Sequence, residues 1–230
     1  MKSLIVATLC AGVAWGVWAA DSGQFKDEKE KTSYTLGLNI GKQLKQMDAE
    51  IDVDVYLRGL KDGIAGKTNT MSDEEIRNTL TSWQQSMRTR SLDKKKKEGE
   101  AFLNENKKKE GVITTPSGLQ YKILTRGTGP TPTTNDTAVC QYRGTLIDGT
   151  EFDSSYKRGE PSSFPVTGVI KGWTEALLQM PKGSKWQLFI PSDLAYGDRG
   201  NPRIPGGSTL LFDIELVDIK KPDAAPGKLQ

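Results

Sequence analysis

Residues 140–155 read CQYRGTLIDGTEFDSS, and they decide the fold. Asp148-Gly149 sits between the β-prone triplets Thr145-Leu146-Ile147 and Thr150-Glu151-Phe152, the pattern of a hairpin closed by a two-residue turn. Further β-type runs cover residues 119–125, 137–147, 185–190 and 209–219, while 173–180 is the one helical stretch among them. Strands with a single short helix indicate an α+β domain, an antiparallel twisted sheet wrapped on that helix.

The same region concentrates apolar and aromatic side chains: Tyr142, Phe152, Phe164, Val169, Ile170, Trp173, Tyr196, Ile204 and Phe212, with Asp153 the one carboxylate among them. Such a site binds and desolvates an apolar group but has little with which to attack it. The chain contains no His, which excludes His-based triads, His general bases and His metal ligands. Chemistry that breaks no covalent bond is what remains. A formal net charge of +3, with Lys and Arg interleaved among Asp and Glu, gives no reason to expect nucleic-acid binding.

Outward from this domain, residues 1–20 read as an export signal: Lys2 is followed by an apolar run from Leu4 to Val17 that is too short to span a bilayer. Cleavage is expected near Ala19 or Ala20, after Ala19 by preference; a retained anchor helix is the alternative. Once the signal and its Cys10 are gone, Cys140 is the sole thiol and reads as a buried strand residue. Residues 21–70 read as a helical module of two or three short helices. Tyr34, Leu38, Leu44 and Met47 form an apolar face, with Gly37 and Gly41 four residues apart. The module is too small to hold a core of its own, so a second copy of itself is the economical partner, making the protein a homodimer.

Residues 71–110 read as a long connecting helix. Ser72-Asp-Glu-Glu75 is a capping box, and Ile76, Leu80, Trp83 and Met87 repeat as a short heptad seam. Unbroken from 73 to 110 it would run about 57 Å, with Gly99 a candidate bend and Lys94 to Lys97 a solvated face. The α+β domain then occupies residues 111–220, and 221–230 form a polar tail of disordered type.

The segments TPSGLQYKILTRGTG, YRGTLIDGTEFDSSYKRGEP, VIKGWTEALLQMPKG and LAYG…IPGGSTLLFDIEL resemble the FKBP-type peptidyl-prolyl cis–trans isomerases. The helical half, including YTLGLNIG, is similar to the macrophage infectivity potentiator branch, whose members are exported homodimers. The resemblance spans residues 24–220 or so.

It implies a proline pocket floored by Trp173 and walled by Tyr142, Phe152, Phe164, Val169, Ile170 and Phe212. The Ile170 N–H and the Tyr196 hydroxyl would bond ligand carbonyls, Asp153 would be the pocket carboxylate, and Ile204 would lie on the flap loop. The implied catalytic set is therefore Tyr196, Asp153 and Ile170. Two positions depart from the pattern: Ser162 follows Pro161 where an aromatic is common, and Gly206 stands where a second proline is common, which suggests a looser flap.

The resemblance further implies a peptidylprolyl isomerase that assists folding of exported, proline-containing polypeptides in the periplasm, with secreted or outer-membrane-associated placement as variants. It implies no cofactor, no metal and no membrane insertion after signal cleavage. A macrolide of the tacrolimus or rapamycin type is a candidate ligand. The alternative is a holdase-type chaperone whose isomerase activity is incidental.

Overall fold

The computed structural model describes residues 25–67 and 70–222; the signal at 1–20 and most of the 221–230 tail lie outside them. The described residues fall into two compact units that divide between Leu57 and Arg58.

In the first unit, α1 (Glu28–Gln46) starts at Asp27, whose carboxylate accepts from the Glu30 N–H, with Glu28 and Glu30 in the first turn. Acids at this end satisfy orphan N–H groups and complement the helix dipole. At 19 residues it is longer than the short helices the sequence suggests. α2 (Val53–Ile64) straddles the division. Neither helix contains a buried residue: Tyr34, Leu36, Val53, Leu57 and Ile64 are all exposed.

The second unit opens with α3 (Asp73–Asn106), started by the expected capping box between Ser72 and Glu75. Its 34 residues make a helix about 51 Å long, and Lys107 caps it four residues before Gly111. The end of α3 is packed rather than solvated. Phe102 meets Phe189 with ring centroids 6.0 Å apart, and buried Asn106 donates to Gln120 at 3.0 Å. Gln120 in turn donates to the Leu103 carbonyl at 2.9 Å. Lys96, read above as part of a solvated face, pairs with Asp198 at 2.6 Å. Gly99 has a packing reason of its own: a Cβ there would stand 2.3 Å from the Thr209 hydroxyl.

A seven-stranded antiparallel sheet follows, in the order β1-β2-β6-β7-β3-β4, with β5 also on β3. The strands are β1 (Val112–Thr114), β2 (Gln120–Thr125), β3 (Thr137–Leu146), β4 (Glu151–Ser154), β5 (Ser162–Pro165), β6 (Lys185–Ile190) and β7 (Leu210–Lys220). The two central strands alternate as half-buried strands must. Ala138, Cys140, Tyr142 and Leu146 of β3 and Leu210, Phe212, Ile214 and Leu216 of β7 all point inward. Onto this face packs α4 (Lys171–Leu177), which buries Trp173, Ala176 and Leu177. This is the expected sheet on a short helix.

The hairpin at Asp148-Gly149 forms, but through three residues. Leu146 N–H bonds the Thr150 carbonyl at 2.9 Å and Gly149 N–H bonds the Leu146 carbonyl at 3.0 Å. Gly149 sits at φ 85°, giving a type I turn completed by a left-handed bulge residue. Cys140 is fully buried, and burial pushes its thiol up to about 12, leaving it protonated and inert.

The free outer edge of β3 is shared: β4 pairs with residues 143–145 and β5 with residues 137–140. Tyr142 lies at the gap between them. There its N–H bonds the Ser155 hydroxyl at 2.7 Å and its carbonyl accepts from Ser155 N–H at 2.9 Å. This split opens the sheet edge where the pocket forms.

The packing at Gly99 is directly testable. A helix-interior Gly→Ala change normally stabilises by up to about 1 kcal/mol. Here Gly99→Ala is expected to destabilise by about 1–3 kcal/mol through overpacking, and Thr209→Ala in the same chain to recover part of the loss. Urea denaturation of the single and double variants checks the sign.

Candidate functional site

A cavity of about 500 Å³ opens beside Trp173, in the 300–1,000 Å³ range of small-ligand pockets. Trp173 is 3% exposed and comes from the first turn of α4. Three rings meet it edge-on: Tyr142 at 5.2 Å, Phe164 at 5.6 Å and Phe212 at 5.1 Å between centroids. Such T-shaped contacts set the indole's orientation as well as burying it. Phe152 packs against Phe212 at 5.5 Å, and both rings press on Gly144, where an added Cβ would lie within 2.7 Å of either ring. A glycine in β3 is what lets the two walls close. The indole Nε1–H has no hydrogen-bond partner among the described residues.

Polar groups enter from one side. Asp153, on β4, accepts from the Tyr142 hydroxyl at 2.5 Å, from Arg158 Nη1 at 2.7 Å and from the Ser154 N–H at 2.9 Å. Arg158 Nη2 also donates to the Tyr142 oxygen at 2.8 Å and to Ser162 at 3.0 Å. Partial burial pushes the Asp153 carboxyl up, but the bonds from Tyr142 and Arg158 outweigh it, so it stays below the usual carboxylate value. Desolvation, then the bond to Asp153, lifts the Tyr142 phenol above its ordinary value. Over the neutral range the pair is therefore a carboxylate and a neutral phenol, fixed by a guanidinium.

Two donors are left open. Ile170 sits at the cap of α4 in extended conformation, and its N–H bonds no described residue. Tyr196 is 41% exposed, projects into the cavity and leaves its hydroxyl without a partner among the described residues. Ile204, by contrast, is 3% exposed and packs into the core cluster. Its N–H bonds Asn201 Oδ1 at 2.9 Å.

Every residue nominated above lines the cavity: Tyr142, Phe152, Asp153, Phe164, Val169, Ile170, Trp173, Tyr196, Ile204 and Phe212. Sequence reading missed Gly168, Asn201 and Arg203. Arg203 reaches across to the Phe152 carbonyl at 3.4 Å, and no local pattern marks a loop arginine for that reach. Ser162 is not in the lining; it serves Arg158 instead. Gly206 has a packing reason of its own: a Cβ there would stand 2.2 Å from the Asp198 carbonyl oxygen.

The surroundings suit a reaction without covalent chemistry. The walls are mostly apolar, and the sole carboxylate among the lining residues is committed to Tyr142 and Arg158.

A family model described as FKBP-type peptidyl-prolyl cis-trans isomerase matches residues 129–217, and one described as the domain amino terminal to it matches residues 29–123. The outer membrane protein MIP of Legionella longbeachae is 42% identical over 230 residues, covering 96% of this chain and 98% of that protein. The chain belongs to the FKBP-type peptidyl-prolyl cis–trans isomerases. The peptidyl-prolyl cis-trans isomerase Mip of Coxiella burnetii is 41% identical over 96% of this isomerase and 100% of its own length. The crystal structure of FkpA from Escherichia coli superposes with a TM-score of 0.67 at 40% identity, covering 86% of this chain and 99% of that one. The fold and the activity class of the isomerase thus agree with the pocket just described.

The lowered Asp153 carboxyl has a signed consequence. A carboxyl depressed on folding adds stability above its unfolded pKa of about 3.9 and loses it as pH falls through the folded value. The stability gap between wild type and Asp153→Asn should be constant above about pH 5 and shrink below about pH 4. Thermal melts across that range read it; a gap that instead changes near neutrality would show that Asp153 titrates there.

Proposed function

We propose that the isomerase assists the folding of exported, proline-containing polypeptides, seating the prolyl ring on the Trp173 indole and favouring the twisted amide over the planar one. The observation carrying this reading is the closed ring cluster around Trp173 with two unspent donors at its rim, Ile170 N–H and the Tyr196 hydroxyl.

Rotation about an X–Pro bond crosses about 18–20 kcal/mol because it destroys amide resonance. In the twisted state charge leaves the carbonyl oxygen and collects on a pyramidal nitrogen, so an apolar wall disfavours the planar, more dipolar ground state. Fixed donors hold the flanking carbonyls in the turn that brings the amide there. A ~10⁵-fold acceleration needs about 7 kcal/mol of differential binding, within reach of shape and solvation without a nucleophile. Asp153, held by Tyr142 and Arg158, orients the wall of the pocket and transfers no proton. A macrolide that presents a proline-like ring and carbonyls to the same groups is the expected competitive ligand.

The reading extends to the whole chain. Residues 1–20 act as a signal that delivers the mature protein to the periplasm, and the segment 21–70, which carries α1 and α2, forms a homodimer. The basis for the dimer is the unburied apolar set on α1 and α2, with Leu36 60% and Ile64 81% exposed. On α3, Ile76 and Leu80 are exposed as well. A single chain that leaves such side chains in water loses about 1.5–3 kcal/mol for each that a partner would bury fully. Among the described residues no helix is long and apolar enough to cross a membrane. The same exposed set favours a second reading, in which the helical half holds unfolded clients and the isomerase activity is incidental.

Three measurements decide among these. The mature protein should accelerate isomerisation of a short X–Pro peptide, and Tyr196→Phe should lower kcat/KM about twofold to tenfold, the worth of one neutral hydrogen bond; an inactive wild type would remove the enzymatic reading. Light scattering at micromolar concentration should give twice the mass of the chain, and a monomeric mass would reject the dimer. A fragment beginning near Arg88, which keeps the packed end of α3, should isomerise peptides as well as the whole chain does. If it also suppresses aggregation equally well, the helical half is not the holdase.

A further inference from the structure

Tyr196 and Ile204 belong to one excursion of the chain, residues 196–209, that rises over the pocket between Leu194 and β7. Its root is narrow. Gly207 N–H bonds the Gly197 carbonyl at 2.9 Å, and Gly200 N–H bonds the Tyr196 carbonyl at 3.2 Å. Gly206 is pressed against the Asp198 backbone. Chain entering the loop at 197–198 and chain leaving it at 206–207 are thus locked together, so whatever fixes one fixes both.

What lies on that root is α3. A Cβ built on Gly207, which has φ +76°, would stand 2.9 Å from both the Leu92 side chain and the Leu92 carbonyl, and 3.2 Å from Lys96 Cγ. One turn on, the Lys96 ammonium pairs with Asp198 at 2.6 Å, and that bond raises the lysine above its ordinary pKa. Gly99 then closes on Thr209. Residues 92, 96 and 99 are spaced i, i+4, i+7, one stripe of a helix, and the stripe touches the entering limb of the root at Asp198, its leaving limb at Gly207, and Thr209 just before β7. Gly99, Gly207 and Thr209 are buried, and close packing at buried positions transmits displacement.

We infer that this stripe of α3 is a positioning surface for the loop, with Leu92 and Lys96 setting where Tyr196 and Ile204 stand over the pocket. The inference rests on the pocket being the substrate site. α3 then positions the site without touching substrate: it holds the rim that captures the peptide, while the Trp173 floor is built independently by α4, β3, β5 and β7.

The test uses the full chain. Lys96→Glu places like charges at the root, and Lys96→Glu with Asp198→Lys restores the pair in reverse. The single variant should raise KM for an X–Pro peptide about threefold, the scale of an exposed ion pair, with kcat unchanged because the floor is intact. Amide exchange at Gly200, Ile204 and Gly207 should quicken in parallel, and the charge swap should return both readouts toward wild type. A merely structural pair would lower the melting temperature and leave KM and loop exchange alone. Wild-type KM and exchange in Lys96→Glu would overturn the inference, as would a change that the swap fails to reverse. An inactive wild type would instead reject the isomerase reading, and the exchange measurement would still decide whether α3 holds the loop.

Discussion

The edge-to-face packing of Tyr142, Phe164 and Phe212 around the Trp173 indole is the constraint on which the rest of the isomerase unit depends. These rings come from β3, β5, β7 and α4, so one cluster ties both central strands, the outer edge and the helix. It is at once the end of the core and the floor of the cavity. A small domain has few large side chains to bury, and spending several at one place concentrates stability there. Truncating a buried aromatic of this kind costs about 3–5 kcal/mol, so the floor of the pocket has little freedom to vary.

The polar side of the pocket obeys a different constraint. A carboxylate beside apolar rings is expensive unless its charge is answered. Tyr142, Arg158 and the Ser154 N–H answer it here, with Arg158 also lying over the Tyr142 ring at 5.5 Å. Asp153 is thereby spent on geometry. The donors that remain free, at Ile170 and Tyr196, are those proposed above to hold the peptide carbonyls. This division between satisfied and unsatisfied groups separates scaffold from site more clearly than residue type does.

Much of this was legible in the sequence because the pocket residues sit inside long contiguous motifs whose strand and helix periods are strong. β6 falls on residues 185–190 as read, and β3 and β7 are displaced by a single residue at their ends. The hairpin turn was misjudged by one residue, since Asp-Gly serves a bulged three-residue turn as readily as a two-residue one. What escaped was long-range. Lys96 reads as one more member of a lysine run, and nothing near it in sequence announces Asp198, about a hundred positions on. Gly99 reads as a helix weak point, whereas its reason is Thr209. Arg203 and Asn201 were missed likewise, because loop conformation rather than any periodic pattern aims them.

The central claim is that the pocket works by desolvation and fixed hydrogen bonds, with no proton moved in the rate-determining step. The most direct test is the pH dependence of X–Pro isomerisation by the mature protein, in H₂O and in D₂O. With Asp153 held ionised and Tyr142 held neutral, kcat/KM should be flat from about pH 5 to about pH 9, without an appreciable solvent isotope effect. A bell-shaped profile in that range, accompanied by slowing in D₂O, would mean that a side chain acts as general acid or base and would contradict the account.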